Sequence, residues 1–110
     1  MERRLRLQRS GDYARLRQEG SRYQHRFLTF SVAANNLPHN RYGFVTSKRV
    51  GKAVARNRVR RLLREALRSL HPQLRHGYDV VVVARPAIVG QPYAVVQRII
   101  EGLAQQAGLL

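Results

Sequence analysis

Residues 47–68 read SKRVGKAVARNRVRRLLREALR, nine basic side chains against the single acid Glu65. Ala55, Val59, Leu62, Leu63, Ala66, Leu67 and Leu70 recur at three- and four-residue spacing, so they share one face of a helix. At 100° per residue from Val59, the positions Asn57, Arg60, Arg61, Arg64 and Arg68 fall on the far side. Arg58 flanks that side, and Arg56 lies near the apolar edge at the first turn. One face packs and the other is guanidinium. Arginines at 56, 58, 60 and 61 oppose the positive end of the macrodipole and one another by about 0.3–1 kcal/mol per site. An anion offsets that cost. Free N–H groups at the helix start add to the same anion site, and Gly51 lets the entering loop bend toward a phosphate with no Cβ in the way. Ordinary solvated helix faces mix both signs, which this one does not.

The whole composition points to the same partner. The chain has 21 Lys and Arg against 6 Asp and Glu, a formal charge of +15 on 110 residues, and self-repulsion on that scale opposes folding unless a polyanion is the working environment. Nucleic acid is the obvious polyanion. The charge is also local: Arg3, Arg4, Arg6, Arg9, Arg15, Arg17, Arg22 and Arg26 form a second cluster, while residues after 68 add only Arg75, Arg85 and Arg98. A membrane surface is the rival, but the apolar face of the basic helix carries Ala, Val and Leu without Trp or Phe, which suits core packing. No membrane partner is expected.

The length allows one domain, and 44% apolar residues supply a small core for it. The absence of cysteine excludes disulfides and thiolate metal sites, and Glu2, Arg3, Arg4 and Arg6 lead into no export-type apolar stretch, so a cytoplasmic protein is expected. The longest apolar run, Val80 to Ala84, suits a buried strand rather than a membrane span.

Outward from the basic helix, Ser10 reads as the N-cap of a short helix through Tyr13 and Leu16, ended by Gly20. Residues 27–34 alternate as a strand, with Leu28, Phe30 and Val32 on one face and Phe27, Thr29 and Ser31 on the other. Residues 35–40 are a turn, and 41–47 form the next strand, divided from 27–34 by a hairpin-like connection. His71-Pro72 ends the basic helix, Tyr78 to Ala84 is a central strand, and Pro92 opens a last helix with Val95, Val96, Ile99, Ile100 and Leu103 inward. Strand 41–47, helix 55–70 and strand 78–84 then make a βαβ crossover.

Protein-borne chemistry is hard to find. His25, His39, His71 and His76 lack metal-ligand spacing, and the six carboxylates are scattered, so no metal site is expected. Ser47 near Lys48, or Asp79 near His76, has no third orienting group to make a catalytic pair. No catalytic residue is assigned.

Residues 47–68 resemble the bacterial ribonuclease P protein family. The motif is Arg56-Asn57-Arg58 followed by Arg60, Arg61 and Arg64, preceded by the loop Ser47-Lys48-Arg49-Val50-Gly51. Further landmarks are Leu5-Arg6, Gly11-Asp12-Tyr13, Arg26-Phe27, Arg41-Tyr42-Gly43-Phe44, Gly77-Tyr78-Asp79-Val80 and Ala84-Arg85-Pro86, so the resemblance covers nearly all 110 residues. It implies one RNA-binding domain over residues 1–110 with an α+β fold. That fold is an α-β sandwich whose central, mostly antiparallel sheet of about four strands carries packed helices and a left-handed βαβ crossover, against the usual right-handed rule.

The resemblance also implies a role: accessory subunit of a ribonucleoprotein whose catalytic RNA performs Mg2+-dependent removal of the 5′ leader from precursor tRNA. Mg2+ then comes through the RNA, the partners are the catalytic RNA and precursor tRNA, and no obligate protein partner is expected. The implied RNA-binding set is Lys48, Arg49, Lys52, Arg56, Asn57, Arg58, Arg60, Arg61, Arg64 and Arg68. Guanidinium groups suit the task because they bind phosphate bidentately and stack on bases. The family also holds the single-stranded leader in a cleft between the sheet and a helix, which implies Tyr13, Arg17 and Phe30 as leader-binding residues. Base stacking there tolerates any sequence. Arg17 departs from the family, where many relatives have a second aromatic, and substitutes cation–π or phosphate contact for part of the platform. The alternative from another class is a non-catalytic RNA-binding or ribosome-associated protein. DNA binding through the basic helix is opposed by the lack of a helix-turn-helix pair or zipper heptads.

Overall fold

In the computed structural model, which describes residues 2–110, the helix at the centre of the reading spans Ala53–Leu70. It is α2, and it buries Val59, Leu63, Ala66, Leu67 and Leu70, the stripe set by its period. The other helices are α1, Ser10–Glu19, and α3, Tyr93–Gln106. Four strands complete the domain: β1 Ser21–Gln24, β2 Leu28–Ala34, β3 Arg41–Val45 and β4 Tyr78–Ala84. No helix among the described residues is long and apolar enough to cross a membrane.

The sheet order is β1-β2-β4-β3. Two of its pairings, β1 with β2 and β2 with β4, are antiparallel, and β3 runs parallel to β4. The class is therefore α+β with a mixed open sheet, and β3, α2 and β4 form the expected βαβ unit. The hairpin-like link between residues 27–34 and 41–47 is corrected. β4 lies between β2 and β3 and pairs with both, and helices over both faces of the sheet suit its unbroken Val80–Val83 run. The N-terminal segment closes the outer edge of β3, with a parallel bridge between Arg6 and Tyr42 and the Leu7 N–H donating to the Tyr42 carbonyl at 2.8 Å. A second correction concerns Ser10: it is the first helical residue of α1, Arg9 occupies the cap position, and no side chain caps the end.

Residues paired across the strands share a face. One face carries Leu28, Phe30, Val32, Val80 and Val82, which join the apolar stripes of α2 and α3 in the main core. Ile100, Leu63 and Leu67 are fully buried there. The other face carries Thr29, Ser31, Val81, Val83 and Val45 and is covered by α1 alone, with a small second cluster of Leu7, Leu16 and Val81.

A polar network clamps the sheet where β3 and β4 begin. Asn40 is fully buried; its amide donates to the Arg75 carbonyl at 2.7 Å and its oxygen accepts from the Tyr78 N–H at 2.8 Å. It also donates to the Tyr42 hydroxyl, which shares a 2.7 Å hydrogen bond with His71 Nδ1. Burial pushes the Tyr42 phenol up to about 12 and holds His71 below the usual histidine value, and their hydrogen bond ties the end of α2 to β3.

Candidate nucleic-acid interface

The loop before α2 is a compact turn in which Ser47 accepts twice, from Arg49 N–H at its hydroxyl and from Val50 N–H at its carbonyl. Gly51 has φ +150°, and a Cβ there would stand 3.1 Å from that of Ala55. The turn delivers Lys48, Arg49 and Lys52 to the surface beside the first turn of α2, where no side chain caps the helix and no acid offsets its dipole. Free N–H donors and three cations therefore face the same solvent.

Along α2 the arginines divide into two groups. Arg58, Arg61 and Arg68 are exposed, as is Asn57, whereas Arg56, Arg60 and Arg64 are half-buried. Arg60 donates to Thr46 Oγ1 at 2.7 Å and to Asn57 Oδ1 at 3.3 Å. Arg64 stands 6.0 Å over the ring of Phe44. These contacts orient the two guanidinium groups along the edge of β3. Arg68 is paired with Glu65, Nε to Oε2 at 3.1 Å, which reduces its pull on an outside anion. Arg56 Nε is buried without a hydrogen-bond partner among the described residues.

On the opposite face of the sheet, α1 overhangs a cleft of about 340 Å3. Its floor is Thr29, Ser31, Val45, Val81 and Val83, and its wall is Tyr13, Leu16 and Arg17, with Arg22 of β1 at the far rim. The Tyr13 ring rests on the backbone of Gly43: a Cβ on Gly43 would fall 2.5 Å from the Tyr13 hydroxyl. That hydroxyl donates to the Leu7 carbonyl at 3.2 Å, and burial raises its pKa. Tyr13 also lines a smaller groove with Arg6, Phe44, Arg60 and Arg64. It is the residue at which the cleft and the basic helix meet.

Phe30 does not join this cleft. It is fully buried in the main core on the α2 and α3 face, while its neighbours Thr29 and Ser31 form the cleft floor, because successive strand residues point to opposite faces. Its assignment to the leader set is corrected: it packs the core and has no surface on which a base could stack. Thr29 and Ser31 alternate with Phe30 along β2 and so face the cleft, while Arg22 reaches it from β1, a strand with no clear periodic signal.

A buried ion cluster holds α1 in place. Asp79 is fully buried and accepts from Arg15 Nη2 at 2.7 Å, Arg41 Nε at 2.9 Å and Nη2 at 2.8 Å, and Asn35 Nδ2 at 2.9 Å. Burial alone would raise its carboxyl, but the hydrogen bonds from Arg41 and Asn35 and the Arg41 charge outweigh it and hold the group below its usual value. Both oxygens of Asp79 are thus used by donors. No three acids or histidines come together as a metal-ligand group among the described residues, and the side chains present do not suit a protein-held Mg2+.

The geometry finds a match among known proteins. A family model described as Ribonuclease P matches residues 1–108. The ribonuclease P protein component of Roseiflexus sp. strain RS-1 is 40% identical over all of this chain and 91% of its own length. That of Chloroflexus aurantiacus strain J-10-fl is 44% identical over all of this chain and 82% of its own. Among solved structures, a Staphylococcus aureus RNase P protein mutant superimposes with a TM-score of 0.92 at 26% identity, covering 100% of this chain and 93% of the other. The Thermotoga maritima RNase P protein gives 0.84 at 25% identity, covering 92% and 96%.

Proposed function

The chain belongs to the ribonuclease P protein family, and on that premise we propose that it is the accessory protein of a cytoplasmic ribonucleoprotein that removes the 5′ leader of precursor tRNA. The exposed α2 set, Arg58, Arg61, Asn57, Lys48, Arg49 and Lys52, grips the catalytic RNA, with Arg60 and Arg64 oriented along the edge of β3 and Arg56 and Arg68 at the margins. The leader strand lies in the α1 cleft. Hydrolysis and its Mg2+ belong to the RNA in this proposal, and among the described residues no three acids or histidines come together to hold a metal. No protein partner is required.

The observation that carries the reading is the meeting of two surfaces at Tyr13, a helix with five arginines besides the Glu65-paired Arg68 on one side and an apolar-floored cleft with arginine rims on the other. Phosphate contacts position an RNA without reading its sequence, and a stacking cleft accepts leaders of any sequence. The two together suit a subunit that aligns many substrates on one RNA.

Reconstitution with a bacterial ribonuclease P RNA, with precursor-tRNA cleavage measured at low Mg2+, tests the proposal. The native chain is expected to stimulate cleavage, and Arg58→Ala with Arg61→Ala to lose that stimulation while remaining folded, since both side chains are exposed. Tight RNA binding without stimulation by the native chain would leave only a non-catalytic RNA-binding module.

A further inference from the structure

At the opposite end of β3 from Thr46 and Phe44 lies a second basic surface that neither α2 nor the cleft uses. The N-terminal segment, the turn before β3 and the start of α1 enclose a hollow of about 380 Å3. Its charged lining is Arg3, Arg4, Arg6, Arg9 and Arg41, with His39 at one side and Asp12 as its one acid. Some of that charge is already spent inside the molecule. Arg41 is bound to Asp79 and stands 3.5 Å from Asp12, and Arg4 pairs with Glu2 at 2.8 Å. Arg3 and Arg9 are exposed, and their side chains have no hydrogen bond or ion pair among the described residues.

The walls of the hollow are held from behind. Arg41 is fixed by the buried Asp79 cluster, and the segment carrying Arg6 is bridged to Tyr42 on the edge of β3. Two uncompensated guanidinium groups converging on a concave, backed surface repel each other and focus positive potential outward, an arrangement that an anion relieves. Guanidinium forks match phosphate oxygens bidentately. The hollow is also not isolated: Arg6 lines the small groove shared with Arg60 and Arg64, so a basic track runs from α2 past the edge of β3 to Arg3 and Arg9.

We infer that this hollow is a second phosphate-binding surface, which holds an RNA sugar-phosphate backbone segment separate from the one on α2 through Arg3 and Arg9. The inference rests on the function proposed above only in taking RNA as the partner. The backbone belongs either to the catalytic RNA or to precursor tRNA, and the two sources are separable by experiment.

The test measures dissociation constants across a KCl series for two reactions: the protein with a bacterial ribonuclease P RNA alone, and the assembled holoenzyme with precursor tRNA. Three double variants are compared: Arg3→Ala with Arg9→Ala, Arg58→Ala with Arg61→Ala, and Arg75→Ala with Arg98→Ala. The last removes the same two charges from exposed positions elsewhere. Each lost phosphate contact lowers the slope of log affinity against log salt by about one unit. The Arg3/Arg9 variant is expected to lose about two units while Arg75/Arg98 loses far less. A loss seen with the catalytic RNA alone assigns the strand to that RNA, and a loss seen only in the holoenzyme reaction assigns it to precursor tRNA; either supports the inference. An Arg3/Arg9 slope in both reactions no different from that of the native chain, or a loss matched by the Arg75/Arg98 variant, overturns it. The Arg58/Arg61 variant keeps the two ideas apart, because it is the one whose unchanged slope would count against the α2 reading.

Discussion

The two faces of the sheet are built from the same four strands and do opposite work. Under α2 and α3 the even positions Leu28, Phe30, Val80 and Val82 are sealed from solvent. Under α1 the odd positions Thr29, Ser31, Val81 and Val83 form the floor of an open cleft. The difference lies in how much helix covers each face. Two long amphipathic helices, with the stripes Val59-Leu63-Leu67 and Val96-Ile100-Leu103, close one side. On the other, the ten-residue α1 contributes Leu16 as its one buried residue and is also tied to the sheet by the Arg15–Asp79 ion pair. Burial stabilises the closed face, while the open face keeps apolar and polar surface available to a ligand.

The largest break in that comparison is expected from Phe30→Ala. A fully buried aromatic on the closed face should cost about 3–5 kcal/mol of unfolding free energy, measured by urea denaturation. At temperatures where the variant stays folded, the affinity of the holoenzyme for precursor tRNA should be unchanged. A loss of leader affinity with little loss of stability would place Phe30 in the cleft after all.

Asp79→Asn comes next, at about 3 kcal/mol, the low end for a broken buried pair because Arg15 and Arg41, left without their buried counter-charge, are themselves partly exposed. The pH dependence follows from the direction of the shift. A carboxyl whose folded-state pKa is depressed contributes stability that is full above its ordinary unfolded value and is lost as pH falls through the folded one. The native chain should therefore lose stability on the acid side, in the range below the ordinary carboxylate value, and Asp79→Asn should flatten that limb. An equally steep acid limb in the variant would show that other carboxylates produce it.

The smallest effect is expected at the rim. Arg17→Ala should leave the melting temperature nearly unchanged, because the side chain is exposed. It should weaken leader-bearing substrate by about 1 kcal/mol or less, mostly at low salt, as a phosphate contact does. A loss that is insensitive to salt would instead indicate stacking of the guanidinium on a base.

How much of this could be read from sequence follows from the range over which each signal acts. The α2 stripe and β4 are local periodicities, and they appear where the pattern puts them; Tyr78–Ala84 is reproduced to the residue. β1 was not identified, because Ser21–Gln24 is four residues of mostly exposed, polar chain with no alternation strong enough to register. The order of strands depends on partners distant in sequence, so the hairpin inferred between residues 27–34 and 41–47 gave way to the insertion of β4. The Asp79 cluster was invisible for the same reason: Arg41, Asn35 and Arg15 lie 38, 44 and 64 positions away. The basic surface on α2 was legible because charge and period share one short stretch. The cleft was half legible. Its helix residues Tyr13 and Arg17 line the cleft, but choosing between Phe30 and its neighbours Thr29 and Ser31 requires knowing which face α1 covers, and alternation reports two faces without saying which is open.

The most direct measurement of the account is the affinity gap between leader-bearing precursor tRNA and leaderless tRNA for the reconstituted holoenzyme, in the native chain and in Tyr13→Ala. A base stacked on an aromatic contributes about 1–3 kcal/mol, or about 5- to 150-fold in affinity. The native holoenzyme should therefore favour the leader-bearing form, and Tyr13→Ala should close most of that gap without changing affinity for the leaderless form. A gap that survives in Tyr13→Ala at full size would contradict the assignment of the open face of the sheet to the leader.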